Sequence, residues 1–210
     1  MNPRRATVYV IDDNVRMLKA LRFILHEHGY AVRTYESAEV FLKDYDPRIP
    51  GCVISDLSMP GRNGLALQRE LNARGGRVPV VFLSGQSSVP ESVQAMKEGA
   101  VDFLTKPVDE KVLLQAVAAA IARDAETHEM HRRIDTLTER ERGVMARLAA
   151  GDLNKQIAAD FGVAERTIKF HRGNLMHKLG ITSPAMLGSF AAQARLVPAI
   201  AKLLTGSPSK

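Results

Sequence analysis

The sequence predicts two folds in one chain, an α/β doubly wound five-stranded parallel sheet followed by a separate all-α domain. Over the first 120 residues, short runs rich in Val and Ile alternate with helical patterns. After Leu137 the strand signals stop and the helical ones continue. The charge changes near the same place. Residues 1–120 carry 15 Lys+Arg against 14 Asp+Glu, whereas residues 136–210 carry 11 against 5.

The strand candidates are residues 7–12, 30–35, 51–55, 78–83 and 101–105, near-continuously apolar as strands covered on both faces should be. Helical patterns fall between them, at about 14–28, 38–45, 64–74, 90–98 and 109–133. Leu18, Leu21, Ile24 and Leu25 stripe the first of these, and Ser88 with Glu91 has capping-box spacing. Five βα units in succession imply parallel strands joined by crossovers. Val108 to Leu137 contains no Gly or Pro, so a long last helix running on as a linker is expected. Thr138-Glu139-Arg140-Glu141 is a second capping box. Helical patterns follow at about 139–150, 154–161, 165–179 and 184–195, punctuated by Gly151, Gly162 and Gly180.

Composition narrows the function. The apolar and charged fractions, 45% and 25%, are those of a globular protein. The single cysteine, Cys52, excludes an internal disulfide and fits a reducing cytoplasm. No apolar stretch reaches the roughly 18–20 residues that span a bilayer. The basic start, Met1 to Arg5, is followed too soon by Asp12-Asp13 for a signal peptide. A cytoplasmic protein without a membrane partner is expected. The basic C-terminal third points to nucleic acid, with a solvated basic face as the alternative.

In doubly wound sheets ligands bind beyond the carboxyl ends of the strands. Asp12, Asp13, Asp56, Ser84 and Lys106 all fall at such ends. Each has an ordinary reading, as a turn residue, a helix cap or a solvated lysine. Together they place three carboxylates and an ammonium at one end of one sheet. Such acids repel unless a cation joins them. Mg²⁺ suits the site because it takes one or two carboxylates and leaves room for phosphate oxygens. Asp56 would then be the nucleophile of a phosphoryl transfer, with the metal and Lys106 neutralising the phosphoryl oxygens. Ser84 offers a hydroxyl to the phosphoryl group.

These residues carry a resemblance. Residues 6–120 resemble the receiver domain of two-component response regulators, whose sheet is flavodoxin-like. The match includes Asp12-Asp13, Asp-x-x-Met-Pro-Gly-x-x-Gly from Asp56 to Gly64, Ser84-Gly85, Gly99-Ala100-x-Asp102-Phe103 and Lys106-Pro107. The resemblance implies that Asp56 is the phospho-acceptor. Asp13 and Asp56 would bind Mg²⁺ with the backbone carbonyl of Ser58, and Asp12 would assist through water. Ser84 and Phe103 would form the switch pair, Lys106 would bond the phosphoryl group, and its bond to Pro107 would be cis. Ser58 and Gln86 hold positions that in this family tune autodephosphorylation.

In the basic module, two helices flank a short turn at Gly162, and the second carries Arg166, Lys169, His171, Arg172, Asn174, His177 and Lys178. That is helix-turn-helix geometry, whose second helix enters the major groove, with a basic-faced helical bundle as the alternative. Leu137-Thr138-x-Arg140-Glu141, Asn154-Lys155-x-Ile157-Ala158 and Thr167-Ile168-Lys169-x-His171-x-x-Asn174-x-x-x-Lys178-Leu179 resemble the LuxR-type helix-turn-helix. The resemblance makes Arg166, Thr167, Lys169, Phe170 and Arg172 candidates for DNA contact. Asn154, Lys155, Asn174 and Lys178 would lie on the backbone or support the fold, and His171 would be structural. Gly173 stands mid-helix, where glycine costs roughly 1 kcal/mol against alanine. His26-x-His28 and His128-x-x-His131 lack partners at zinc-ligand spacing.

The expected organisation is a receiver at 6–120, a helical linker at 121–136, a LuxR-type domain at 137–197 and a tail at 198–210. This is the architecture of NarL/FixJ response regulators. It implies a DNA-binding transcription regulator, phosphorylated on Asp56 by a sensor histidine kinase and dimerising on phosphorylation, with double-stranded DNA and RNA polymerase as partners. Apart from Mg²⁺-dependent self-phosphorylation and autodephosphorylation, it would not be an enzyme. The alternative is a phosphorylation-independent DNA-binding regulator that uses the receiver as a dimerisation module. An aspartyl phosphatase would need an acid two residues after Asp56, where Ser58 stands.

Overall fold

The computed structural model describes residues 6–74, 78–85, 89–183 and 185–193. The chain divides into two compact units, Met1–Glu126 and Thr127–Lys210.

In the first unit, β1 (Thr7–Ile11), β2 (Ala31–Tyr35), β3 (Gly51–Asp56), β4 (Val80–Ser84) and β5 (Asp102–Thr105) form one sheet. Its order is β2-β1-β3-β4-β5, and every pairing is parallel. Successive side chains of a strand point to opposite faces, so each strand feeds two cores. Val8, Val10, Cys52, Ile54, Val81 and Leu83 pack on α1 (Val15–Glu27) and on α5 (Glu110–Asp135) through residues such as Leu21, Leu25, Leu113 and Val117. Tyr9, Ile11, Val53 and Phe82 pack on α2 (Ala38–Asp44), α3 (Gly64–Ala73) and α4 (Val89–Lys97) through Phe41, Leu67 and Ala95.

Not every strand is covered on both faces, contrary to what their apolar runs suggest. β3 and β4 are buried throughout, and β1 nearly so, but β2 exposes Ala31 and Arg33 and β5 is only partly covered. β2 and β5 are the edges of the sheet, where helices cover less of each strand. The helices begin where side chains satisfy their free amides. Asn14, Ser37 and Asn63 accept N–H bonds at the starts of α1, α2 and α3. The expected cap Ser88 lies outside the described residues.

β3 starts in close packing. A Cβ on Gly51 would lie 1.9 Å from the Thr7 carbonyl oxygen, so only glycine fits. The Gly51 N–H donates to the buried carboxylate of Asp124 at 2.8 Å.

In the second unit, α6 (Glu139–Ala149), α7 (Asn154–Asp160), α8 (Glu165–Leu179) and α9 (Met186–Gln193) enclose Val144, Ile157, Ile168, Leu175, Leu179 and Leu187. Ile134, near the end of α5, joins this core, whereas Ile121 belongs to the core of the first unit. The boundary between the units thus falls within α5. The capping box of Thr138 and Glu141 starts α6, and Gly180, at φ 67°, ends α8 in a left-handed turn. The tail 198–210 lies outside the described residues.

Candidate functional site: an acidic pocket and a basic helix

The strand order reverses its direction of growth at β1, which has β2 on one side and β3 on the other. In open parallel sheets such a switch point opens a crevice at the carboxyl ends. The register pairs Ile11 with Ser55, so Asp12 and Asp56, the next residues along, emerge side by side. One carboxylate oxygen from each of Asp12, Asp13 and Asp56 lies within 4.8 Å of the others. Asp12 and Asp56 are buried, and Asp13 is exposed.

Lys106, just past β5, completes the cluster. Its ammonium donates to Asp12 Oδ2 at 2.7 Å and to Asp56 Oδ2 at 2.9 Å. Burial pulls the ammonium pKa down, but the hydrogen bonds and charges of Asp12 and Asp56 outweigh it and hold the group above its ordinary range. The backbone places this lysine, because its N–H donates to the Ser84 carbonyl at 2.7 Å. The Lys106–Pro107 bond is cis.

The remaining carboxylate oxygens are differently committed. Asp12 Oδ1 accepts the Asn14 N–H at 2.8 Å, and Asp56 Oδ1 accepts the Ser58 N–H at 3.3 Å. Asn14, not either aspartate, caps α1, which leaves Asp13 available to a ligand. Three carboxylates and one ammonium leave an excess of two negative charges, and all the donors are hard oxygens. That set fits a divalent cation such as Mg²⁺.

Ser84 ends β4 beside this cluster. Its hydroxyl is buried and has no hydrogen-bond partner among the described residues. Phe103, on β5, is half-buried, its ring 6.4 Å from that of Phe82. Gln86 lies outside the described residues.

The roles of two supporting residues, the cap Asn14 and the motif residue Gly64, were not read from the sequence. Asn14 is a strong capping residue placed just before a helical stripe, a signal that was there to use. Gly64 is the second. A Cβ there would lie 2.6 Å from the Asp56 carbonyl oxygen and 2.8 Å from the Phe82 ring, so glycine lets α3 start against the strand that bears Asp56.

In the second unit, α7 and α8 are joined by the turn from Phe161 to Ala164, with Gly162 at φ 63°. Arg140 braces this turn by donating to the Phe161 carbonyl and lying over its ring at 4.4 Å. Ile168, Leu175 and Leu179 bury one side of α8. Arg166, Lys169, Phe170, Gly173 and His177 are exposed, with Thr167, His171, Arg172 and Asn174 at the margins. Lys155 is exposed on α7, and Asn154 partly so. Lys178 sits differently from these. Its ammonium donates to Glu141 at 2.7 Å and to the Thr136 carbonyl at 3.3 Å, tying α8 to the start of α6.

Among the described residues, no other cluster of His, Cys, Asp and Glu could hold a metal, and no helix is long and apolar enough to cross a membrane. The Cys52 thiol is fully buried, and burial, with the charge of Asp124 behind it, pushes its pKa up.

A parallel sheet with an acidic pocket at its switch point, together with a helix-turn-helix unit, defines a response regulator. Residues 8–118 match the response regulator receiver domain, and residues 135–191 match the bacterial regulatory proteins of the luxR family. The chain is 40% identical to the transcriptional regulatory protein FixJ of Azorhizobium caulinodans, over 94% of its own length and 97% of that protein's. It is 38% identical to nodulation protein W of Bradyrhizobium diazoefficiens, over 87% and 84%. Among solved structures it resembles the response regulator StyR, at a TM-score of 0.58 and 36% identity, over 90% of this chain and 99% of that one. Full-length FixJ from B. japonicum is similar at a TM-score of 0.54 and 36% identity, over 90% and 97%. The chain belongs to the NarL/FixJ family of two-component response regulators, transcription regulators that pair a receiver with a LuxR-type DNA-binding domain.

Proposed function

We propose that this regulator is switched by phosphorylation of Asp56, with a phosphohistidine of a sensor histidine kinase as the donor. The observation that carries this reading is the Lys106 ammonium bridging Asp12 and Asp56 beside the exposed Asp13. An Asp56 carboxylate oxygen attacks phosphorus, the P–N bond of the donor breaks, and the histidine nitrogen leaves. Asp12, Asp13 and Asp56, with the Ser58 carbonyl, would hold Mg²⁺, which when bound neutralises the phosphoryl oxygens. Lys106 moves its donation toward the phosphoryl group. The Ser84 hydroxyl turns to a phosphoryl oxygen, and Phe103 follows into the space vacated.

The receiver is assigned to residues 6–120 and the DNA-binding domain to 137–197, with 121–136 as the helical connection, whose Ile121 packs into the first unit and Ile134 into the second. The new charge favours a homodimer, so that two copies of α8 meet two half-sites and present the complex to RNA polymerase. On this reading Arg166, Thr167, Lys169, Phe170 and Arg172 meet DNA, flanked by Asn154, Lys155 and Asn174. The Lys178 ammonium supports the fold through Glu141.

DNA binding by the wild type and Asp56→Ala, each with and without acetyl phosphate and Mg²⁺, tests the reading. Affinity should rise only for the phosphorylated wild type. Equal affinity in every condition would leave a regulator that uses its receiver for dimerisation alone.

A further inference from the structure

The exposed face of α8 contains one residue that a phosphate-binding surface does not need. Phe170 is 65% exposed and takes no part in the core of its unit. The cation Arg166 is exposed one turn back on the same face, and Lys169, exposed beside the ring, pairs with the Glu165 carboxylate at 3.0 Å. Its described ring contact is with His171, edge-on at 5.9 Å between centroids. Water gains nothing from a bare phenyl ring, and a ring set among cations is suited to a polyanion that also offers apolar surface.

Duplex DNA fits that description. A phenyl ring neither donates nor accepts hydrogen bonds, so it cannot read a phosphate or a polar base edge. The apolar group that base edges present in the major groove is the 5-methyl of thymine. Helical side chains lean toward the N-terminus of their helix, which aims Phe170 at the end of α8 that meets bases in helix-turn-helix proteins. Gly173 stands one turn further on, also exposed. A Cβ there would meet nothing within 4 Å, so the fold itself does not require glycine at this position. With no side chain at 173, that stretch of the face can come close to the groove.

We infer that Phe170 reads a thymine by packing its ring on the 5-methyl group, and so sets part of this regulator's sequence preference. The inference rests on α8 being the recognition helix. The test uses the full chain with Mg²⁺ and beryllofluoride, and selects duplexes from a randomised pool for wild type and Phe170→Ala. Wild type should enrich a thymine at one position of each half-site, and Phe170→Ala should lose that preference. The selected duplex is then remade with deoxyuridine at that position of one half-site, which removes only one methyl group. Wild-type affinity should fall roughly fourfold, the value of burying one such group. Phe170→Ala should bind both duplexes equally. Wild-type affinity unchanged by deoxyuridine at every selected position would overturn the inference, and that measurement needs no variant. A Phe170→Ala protein that keeps the thymine preference, as expected if the ring instead docks a protein, would overturn it as well. Failure of the wild type to enrich any duplex would bring down the DNA-binding reading, and this inference with it.

Discussion

Lys106 and Asp56 are joined by a hydrogen bond of 2.9 Å from Nζ to Oδ2, and the same ammonium also holds Asp12 at 2.7 Å. The lysine does in the resting receiver what a divalent cation would share after binding, keeping two buried carboxylates together. Removing it exposes their repulsion. Lys106→Met should lower receiver stability by about 3 kcal/mol in EDTA, the scale of breaking a buried ion pair. Added Mg²⁺ should raise the melting temperature of the variant more than that of the wild type. Equal shifts in thermal melts would show that the carboxylates do not share one cation site.

Ser84→Ala separates stability from switching. The hydroxyl is buried without a partner among the described residues, so its loss removes no bond from the resting state. The unfolding free energy should stay within about 1 kcal/mol of wild type or rise slightly. Sedimentation with beryllofluoride should show dimers for the wild type and a weakened response in the variant. A variant that dimerises as the wild type does would remove Ser84 from the switch.

Asp124 predicts a pH dependence. Burial pushes its carboxyl up to about 7, while the Gly51 N–H works in the opposite direction. The unfolded chain has the ordinary value near 4. The native state therefore holds this proton more tightly, and the group stabilises the fold most below about pH 4. That contribution is lost as pH rises to about 7 and changes little above it, by on the order of a few kcal/mol in all. Asp124→Asn keeps an acceptor for Gly51 and does not titrate. In urea melts from pH 4 to pH 8, wild type should lose stability relative to the variant as pH rises. Parallel curves would contradict the assignment.

Gly173→Ala should move stability and function in opposite directions. The added methyl group meets open space and a helix-favouring backbone, so the DNA-binding unit should gain roughly 1 kcal/mol. Affinity for a selected duplex should fall, because the helix can no longer approach as closely. Thermal melts and binding titrations on one preparation check both signs. Stabilisation with undiminished binding would show that the glycine serves no contact.

The order and type of the elements were legible because β1, β3 and β4 are runs dominated by apolar residues and the helices between the strands carry stripes. Burial at the edges was not. In Ala31-Val32-Arg33-Thr34-Tyr35 the charged Arg33 is the one mark of an edge strand, but it does not say which strand lies beside β2, since strand order is set by the crossovers. The convergence of Asp12, Asp13, Asp56 and Lys106 could be read, because in a parallel sheet every strand ends at the same side. Their individual bonds could not be, since the choice of Asn14 over the aspartates as the cap of α1 depends on local backbone angles. The unit boundary within α5 was also hidden. Helical periodicity marks Ile121 and Ile134 as apolar but does not say that they enter different cores.

β3 carries Asp56 at one end and is anchored at the other. Gly51 leaves no room for even a methyl group against Thr7, its N–H is held by Asp124, and the Thr7 N–H is held by the Pro50 carbonyl at 2.9 Å. A strand pinned in this way cannot slide lengthwise like a piston when its far end gains charge. On the proposed reading, the displacement that phosphorylation of Asp56 produces travels sideways, from β3 through Ser84 on β4 to Phe103 on β5, with the sheet's own hydrogen-bonding direction as the axis of the signal.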